Sequence, residues 1–269
     1  MKQKNYTFLE WNIRGAGGYD NYLIPKFVVN TILEKNTDVV ILTEFYAGCN
    51  FDYFRQSIED NYYIFISPFV SGYNQILIAL NKNTFGKSDI YEIITVNPLD
   101  NNLPEYLRIN IKNQPSEGFS IIGTRIKTQG DIEDRKKQFE FLDNQIEQAD
   151  KIICVGDFNV LFGKLKSLLK SAEVYAPRII NNKRWSCTHK NGDKDEDKVG
   201  IDLIASKNIE IPKNLEDELS KKEGYKMYAK YDWDFVNKKN GYGSLTPSHC
   251  LSEVTGKPDH AVLIGNFKV

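Results

Sequence analysis

An acid and an amide, Asp157 and Asn159, stand two residues apart just after the apolar run Lys151–Val155, and an adjacent Asp259-His260 precedes a second apolar run, Ala261–Ile264, about a hundred residues later. A carboxylate can orient or deprotonate an attacking water, an amide can hold that water or a phosphoryl oxygen in line, and an imidazole can donate to an oxygen on which negative charge develops. Two more carboxylates, Glu44 and Asp202, and one more amide, Asn12, also sit in or at the ends of apolar runs. A polar group in such a place costs free energy unless it is paired or coordinates an ion. Magnesium prefers oxygen ligands and keeps several waters, so one or two carboxylates plus an amide suffice to hold it. Together these residues suit metal-dependent hydrolysis of a phosphodiester. Taken singly, each also has an ordinary structural explanation: Glu44 could cap a helix, Asp202 could pair with a lysine, and His260 could be a satisfied core histidine.

Positioning such groups requires strands that stop at a common edge. Tyr6–Ile13 alternates and runs into the glycine-rich turn Arg14–Gly18, after which Lys26–Glu34 fits a short helix with Pro25 near its first turn. Asp38–Thr43 is almost wholly apolar, the pattern of a central strand, and delivers Glu44 at its end. Tyr62–Ile66, Gln75–Leu80, Tyr91–Val96, Leu107–Lys112 and Phe119–Lys127 follow with little room for helices, so this stretch is expected to be antiparallel. Asp131–Ala149 is the longest helix, opening with acidic residues at the positive end of its dipole. Lys151–Val155, Ile201–Ser206 and Ala261–Phe267 complete the strands. More strands than helices, with helices at both ends of the order, give an α/β or α+β chain of two packed sheets covered by outer helices.

Composition narrows the setting. The 269 residues, 41% hydrophobic and 26% charged, contain no linker, repeat or low-complexity tract, which favours one domain over 1–269. A net charge of −1 provides no global basic field, so any nucleic-acid binding must be local. No signal-peptide pattern opens the chain, and no apolar run is long enough to span a membrane. Cys49, Cys154, Cys187 and Cys250 are scattered without a CxxC pair, as expected of reduced structural cysteines in a cytoplasm; a zinc site with His189 or His249 is the alternative.

In order along the chain, the motifs resemble those of the endonuclease/exonuclease/phosphatase superfamily, which includes exonuclease III-like and deoxyribonuclease I-like enzymes. Leu9–Gly15 resembles its first motif, Leu42-Thr-Glu44 its glutamate motif, Val155–Asn159 its aspartate-asparagine motif, Gly200–Ser206 its penultimate motif and Pro258–Val262 its last. Arg135 and Gln138 match a secondary pattern. The resemblance covers almost the whole chain and implies a four-layer αββα sandwich, two mixed sheets packed face to face, with the site at one edge. It further implies a Mg2+ ion, with Mn2+ able to substitute, held chiefly by Glu44 with Asn12 and Asp259 nearby. Asp157 would orient the water, Asn159 hold it or a phosphoryl oxygen, His260 donate to a non-bridging oxygen, and Asp202 fix the imidazole.

The chain departs from the family pattern at three places. Arg125, in Gly123–Ile126, stands where many relatives have histidine or tyrosine; a guanidinium is no general acid near neutral pH but can hold a phosphate bidentately. The alternative is a solvent-facing arginine, displaced by one residue in the alignment. Pro258 replaces a usual serine, and Thr43 replaces the glutamine common before the glutamate. The 57 residues from Asp202 to Asp259 exceed a simple strand connection, so an inserted substrate-side element is expected over about 209–256. Within it Lys226, Tyr228, Lys230 and Trp233 belong to a lysine-aromatic stretch suited to tracking phosphates and stacking on bases, with Trp185 on the opposite wall. Those aromatics could equally pack onto the sandwich. The expected activity is a nuclease on DNA or RNA; a phosphatase or phosphodiesterase on a small or lipid-derived phosphate and a catalytically silent binding module are the alternatives.

Overall fold

A computed structural model describes residues 3–13, 24, 26–48, 50–112, 118–180, 183–184, 189–190, 198–213, 226–232 and 260–269. In chain order the elements are β1 (Asn5–Asn12), α1 (Lys26–Lys35), β2 (Val39–Phe45), α2 (Phe51–Ile58), β3 (Tyr62–Ile66), β4 (Gln75–Asn81), β5 (Ile90–Thr95), β6 (Glu105–Ile111) and β7 (Phe119–Arg125). After these come α3 (Ile132–Glu147), β8 (Ile152–Asp157), α4 (Phe162–Leu168), β9 (Glu173–Tyr175), β10 (Arg178–Ile180), β11 (Lys183–Arg184), β12 (His189–Lys190) and β13 (Lys198–Val199). The last four are β14 (Asp202–Lys207), β15 (Lys226–Met227), β16 (Ala229–Asp232) and β17 (Val262–Lys268).

Two six-stranded sheets dominate, ordered β16-β17-β1-β2-β4-β3 and β5-β6-β7-β8-β14-β9. Strand alternation explains their stacking. In β1, Tyr6 and Phe8 face the second sheet and join Val39, Ile41, Leu107, Ile121, Val155 and Ile204 in the central core. Leu9 and Trp11 point the other way, under α1 and α2, with Phe27, Ile32, Phe54 and Ile58. On the far side, α3 and α4 cover the second sheet through Phe139, Leu142, Ile146, Phe162 and Leu165. The result is the expected four-layer αββα arrangement, with both sheets mixed: β1–β2 and β7–β8 are parallel, whereas β3–β4 and β5–β6–β7 are antiparallel. The antiparallel stretch anticipated from residue 62 to 127 is divided between the sheets, the chain crossing over between β4 and β5.

Two glycines allow the close approaches on which the edge depends. A Cβ on Gly123 would lie 2.8 Å from Ile76 and 2.9 Å from Ile41, so its absence lets the sheets come together just below Arg125. A Cβ on Gly156 would lie 1.9 Å from the Thr124 carbonyl oxygen, inside the β7–β8 pairing. The longest helix is fixed at its start by a reciprocal cap: Asp131 accepts from the Asp134 amide at 2.8 Å, and Asp134 accepts from the Asp131 amide at 3.1 Å. Of the expected insertion, residues 209–213 and 226–232 are described; β16 extends the first sheet and β15 pairs with β10, while the remainder lies outside the described residues. Among the described residues no helix is long and apolar enough to cross a membrane.

Candidate active site

Strand register draws the site together. Glu105 pairs with Arg125 across β6–β7, Arg125 with Asp157 across β7–β8, and Asp157 with Asp202 across β8–β14. Partners in register project from the same face, so four charged side chains form one line across four strands, on the face turned toward the other sheet. In that facing sheet Asn12 ends β1 beside Thr43, Glu44 follows in β2, and His260 stands two residues before the last strand. Both lines fall at one edge of the sandwich.

Hydrogen bonds cross the gap between the sheets. Asn12 Nδ2 donates to Glu44 Oε1 at 3.2 Å and to Asp157 Oδ2 at 3.1 Å. Asp157 Oδ1 accepts from the Asn159 amide at 2.9 Å, while Asn159 Nδ2 donates to Asp157 Oδ2 at 3.2 Å and to the Ile126 carbonyl at 2.8 Å. His260 Nδ1 lies 2.8 Å from Asp202 Oδ2, and Trp11 Nε1 donates to the His260 carbonyl at 3.0 Å. The backbone is strained at two of these positions: Glu44, beside a register shift in β2, has φ of 46° and Asn159 has φ of 50°. For non-glycine residues the left-handed region costs about 1–2 kcal/mol, and the surrounding hydrogen bonds hold both residues there.

Charge is concentrated and buried. The Arg125 side chain, 8% exposed, places Nε 2.8 Å from Glu44 Oε1 and 3.7 Å from Asp157 Oδ2, and NH1 donates to Glu105 Oε1 at 3.0 Å. Burial pulls the guanidinium's pKa down, but Glu44, Glu105 and Asp157 outweigh it and hold it above its ordinary value. Burial pushes Glu105 up to about 7 against the pull of Arg125. Asp157 is pushed up to about 6 by burial and then by Asp202, with His260 and Arg125 opposing. Beneath them Glu10, wholly buried and accepting from Thr43 Oγ1 at 3.2 Å, is pushed well above its ordinary value by burial and by Asp202. Arg125 is therefore neither solvent-facing nor free in this state; it is clamped among carboxylates.

The secondary pattern on α3 also acquires a physical meaning. Arg135 NH2 donates to the Asn159 carbonyl at 3.0 Å. Buried Gln138 accepts from the Lys127 amide and donates to the Asn101 carbonyl, both at 2.8 Å. These two residues brace the segments that leave β8 and β7.

Asn12, Glu44, Arg125, Asp157, Asn159, Asp202 and His260 are thus brought together, whereas Asp259, Trp185 and Trp233 lie outside the described residues. Lys226 lies in β15, opposite Ile179. Tyr228 packs against Tyr175 with ring centroids 5.0 Å apart in a tilted arrangement, and its neighbour Ala229 pairs with Gly265. Lys230 is exposed on β16 opposite Ile264. Sequence reasoning missed Glu105 and Glu10; the signal for each was a carboxylate placed in register with the inward-facing apolar residues of its own strand. Of the four cysteines, Cys154 is buried with a free thiol and the others lie outside the described residues.

The donor set fits a hard divalent cation. Glu44 and Asn12 offer oxygen ligands, Glu44 is the more open of the two, and among the described residues a single guanidinium faces the three carboxylates of Glu44, Glu105 and Asp157. Asp157, Asp202 and His260 also place one ligand atom each within 4.8 Å of one another, but His260 Nδ1 is already engaged by Asp202.

The four-layer αββα sandwich of this chain is the fold of the endonuclease/exonuclease/phosphatase structures it is similar to. Among solved structures it is similar to D. rerio TDP2 complexed with a single-strand DNA product (13% identity, 99% of this chain and 100% of that chain, TM-score 0.61). It is also similar to ANGEL2, a 2′,3′-cyclic phosphatase (12%, 99% and 95%, TM-score 0.64), and to the 3′ phosphatase NExo from Neisseria bound to a product DNA hairpin (13%, 97% and 98%, TM-score 0.61). No protein-family model matches the chain, and no curated protein matches it by sequence. At these identities the likeness is one of fold.

Proposed function

We propose that this chain is a divalent-metal-dependent phosphoester hydrolase, and within that class a nuclease acting on DNA or RNA. The observation that carries the reading is the arrival of six residues from separate segments at one edge of the two sheets: Asn12, Glu44, Asp157 and Asn159 joined by hydrogen bonds, Asp202 joined to His260, and Asp157, Asp202 and His260 with ligand atoms within 4.8 Å of one another. Two of the structural neighbours are bound to a DNA product and two are named phosphatases, which supports the substrate class.

Each residue then has a task. Asp157, held by Asn12 and Asn159, orients the attacking water and accepts its proton. Asn159 holds the water or a phosphoryl oxygen in line, its backbone fixed by Arg135. His260, with Asp202 on Nδ1, presents Nε2 to a non-bridging oxygen as charge develops. Glu44 and Asn12 would hold Mg2+, with Asp259 as a further candidate, and that ion when bound neutralises charge on the phosphate and its leaving oxygen. A phosphatase reading is favoured by one observation, that two of the three neighbours are named phosphatases.

The test is magnesium-dependent turnover of labelled single-stranded and duplex DNA, single-stranded RNA, a 3′-phosphorylated oligonucleotide and a small chromogenic diester, with Asp157→Ala as the control. Strand cleavage that vanishes in the control supports the nuclease. Release of phosphate alone selects the phosphatase, and turnover that survives in the control sinks the role given to Asp157.

A further inference from the structure

The guanidinium of Arg125 is unevenly anchored. On one side NH1 makes an aligned hydrogen bond to Glu105 Oε1 at 3.0 Å, from the residue directly opposite in the β6–β7 register. On the other side Nε approaches Glu44 Oε1 to 2.8 Å but makes no aligned hydrogen bond, although it is buried. The second oxygen of Glu105, Oε2, is buried and accepts no hydrogen bond. An acceptor therefore lies unused on the residue that already holds the arginine, while the contact with Glu44 is an ion pair without hydrogen-bond geometry. A guanidinium binds a carboxylate best through two parallel N–H bonds, which Glu105 could offer after a small displacement.

We propose that Arg125 is an internal cation on Glu44 that a divalent metal must displace, and that Glu105 is the seat that receives the guanidinium when the metal enters. The proposal rests on reading Glu44 as the metal-holding residue. It makes Glu105 a positioning residue: by holding Arg125 away from Glu44 it opens the metal place, and it leaves the guanidinium at the site's edge next to Asp157. It also gives a reason for arginine at this position, since a neutral side chain could not take the place of the ion while the ion is away.

The decisive measurement is Mg2+ and Mn2+ binding by calorimetry to the full chain, as wild type, Arg125→Met, Glu105→Gln and the double variant, at one pH and salt concentration. Arg125→Met is expected to tighten metal binding about tenfold or more, and Glu105→Gln to weaken it several-fold. In the Arg125→Met background Glu105→Gln should have less than a threefold effect, because there is no guanidinium left to receive. An equal effect of Glu105→Gln in both backgrounds would reduce Glu105 to a distant charge and overturn the proposal, as would unchanged or weaker binding by Arg125→Met. Binding by neither wild type nor Arg125→Met would overturn the metal reading itself, an outcome separable from loss of the competition alone. Should the variants fail to fold, the Nε–H resonance of Arg125 in the wild type decides: it is expected to move on titration with Mg2+, and a resonance that stays still overturns the displacement.

Discussion

Asp202→Asn separates positioning from packing, because it keeps the side chain's size and removes one charge from a wholly buried place. Asp202 Oδ2 lies 2.8 Å from His260 Nδ1, and Asp202 sits in register with Asp157. Two effects of opposite kind follow. The imidazole loses its counter-charge; a hydrogen bond to a charged group contributes about 1.5–3 kcal/mol, and with about 1.4 kcal/mol per decade this converts to a fall in kcat of roughly 10- to 150-fold. Asp157 loses a like charge that, after burial, is the largest influence raising its pKa to about 6. The acidic limb of the pH profile, which reports ionisation of this base in the free enzyme, should therefore move to lower pH in the variant. The assay is kcat and kcat/KM against pH from about 4.5 to 9 on whichever substrate the wild type turns over, beside His260→Ala and the double variant. The reasoning requires the double variant to be little worse than the worse single one. A loss smaller than threefold, or an acidic limb that stays in place, would refute it.

Three further outcomes follow from the geometry. Gly156→Ala should destabilise the fold by about 3 kcal/mol or more in chemical denaturation, since its Cβ would meet the Thr124 carbonyl at 1.9 Å and neither backbone can turn aside; an unchanged midpoint would show that β7–β8 pairs differently. Asn159→Gly and Asn159→Ala should both lose activity with the amide, but at φ of 50° the glycine variant should be the more stable by about 1 kcal/mol, and equal stability would dispute the strain. Glu105, pushed up to about 7, binds its proton more tightly folded than unfolded, so the stability it permits is lost as pH rises from its unfolded value through about 7. Glu105→Gln should accordingly gain stability relative to the metal-free wild type between pH 5 and 8, whatever its offset at pH 5; a difference that is flat or falls across that range contradicts the assignment.

The strands were legible because each sheet is half of one core. Alternation in β1 and the apolar runs of β2 and β8 report burial on one face or both, and the polar residues at or near their ends, Asn12, Glu44 and Asp157, mark where the core gives way to the site. The division of the strands between two sheets was not legible, since an inward-facing residue reads alike in either one. Helices α2 and α4 were missed because they are short and each buries only two residues, Phe54 and Ile58 in one and Phe162 and Leu165 in the other, too few to set a period. Arg125 was legible as a departure and not as a contact. Its partner Glu105 belongs to another strand, and only pairing register puts the two side by side.

That register explains why the site reads so clearly in pieces and so poorly as a whole. Motif by motif, the chain announces residues whose burial is costly; what offsets the cost is a neighbour supplied by an adjacent strand or by the facing sheet. Glu105, Arg125, Asp157 and Asp202 are 20, 32 and 45 residues apart in succession yet occupy one line of the same sheet. Buried carboxylates in such a line raise one another's cost of ionisation unless a cation stands among them. Among the described residues in that line, the arginine supplies the one positive charge, fixed in the strand. A fixed cation unequal to the carboxylates around it is a physical reason for such an edge to recruit a metal and a charged substrate.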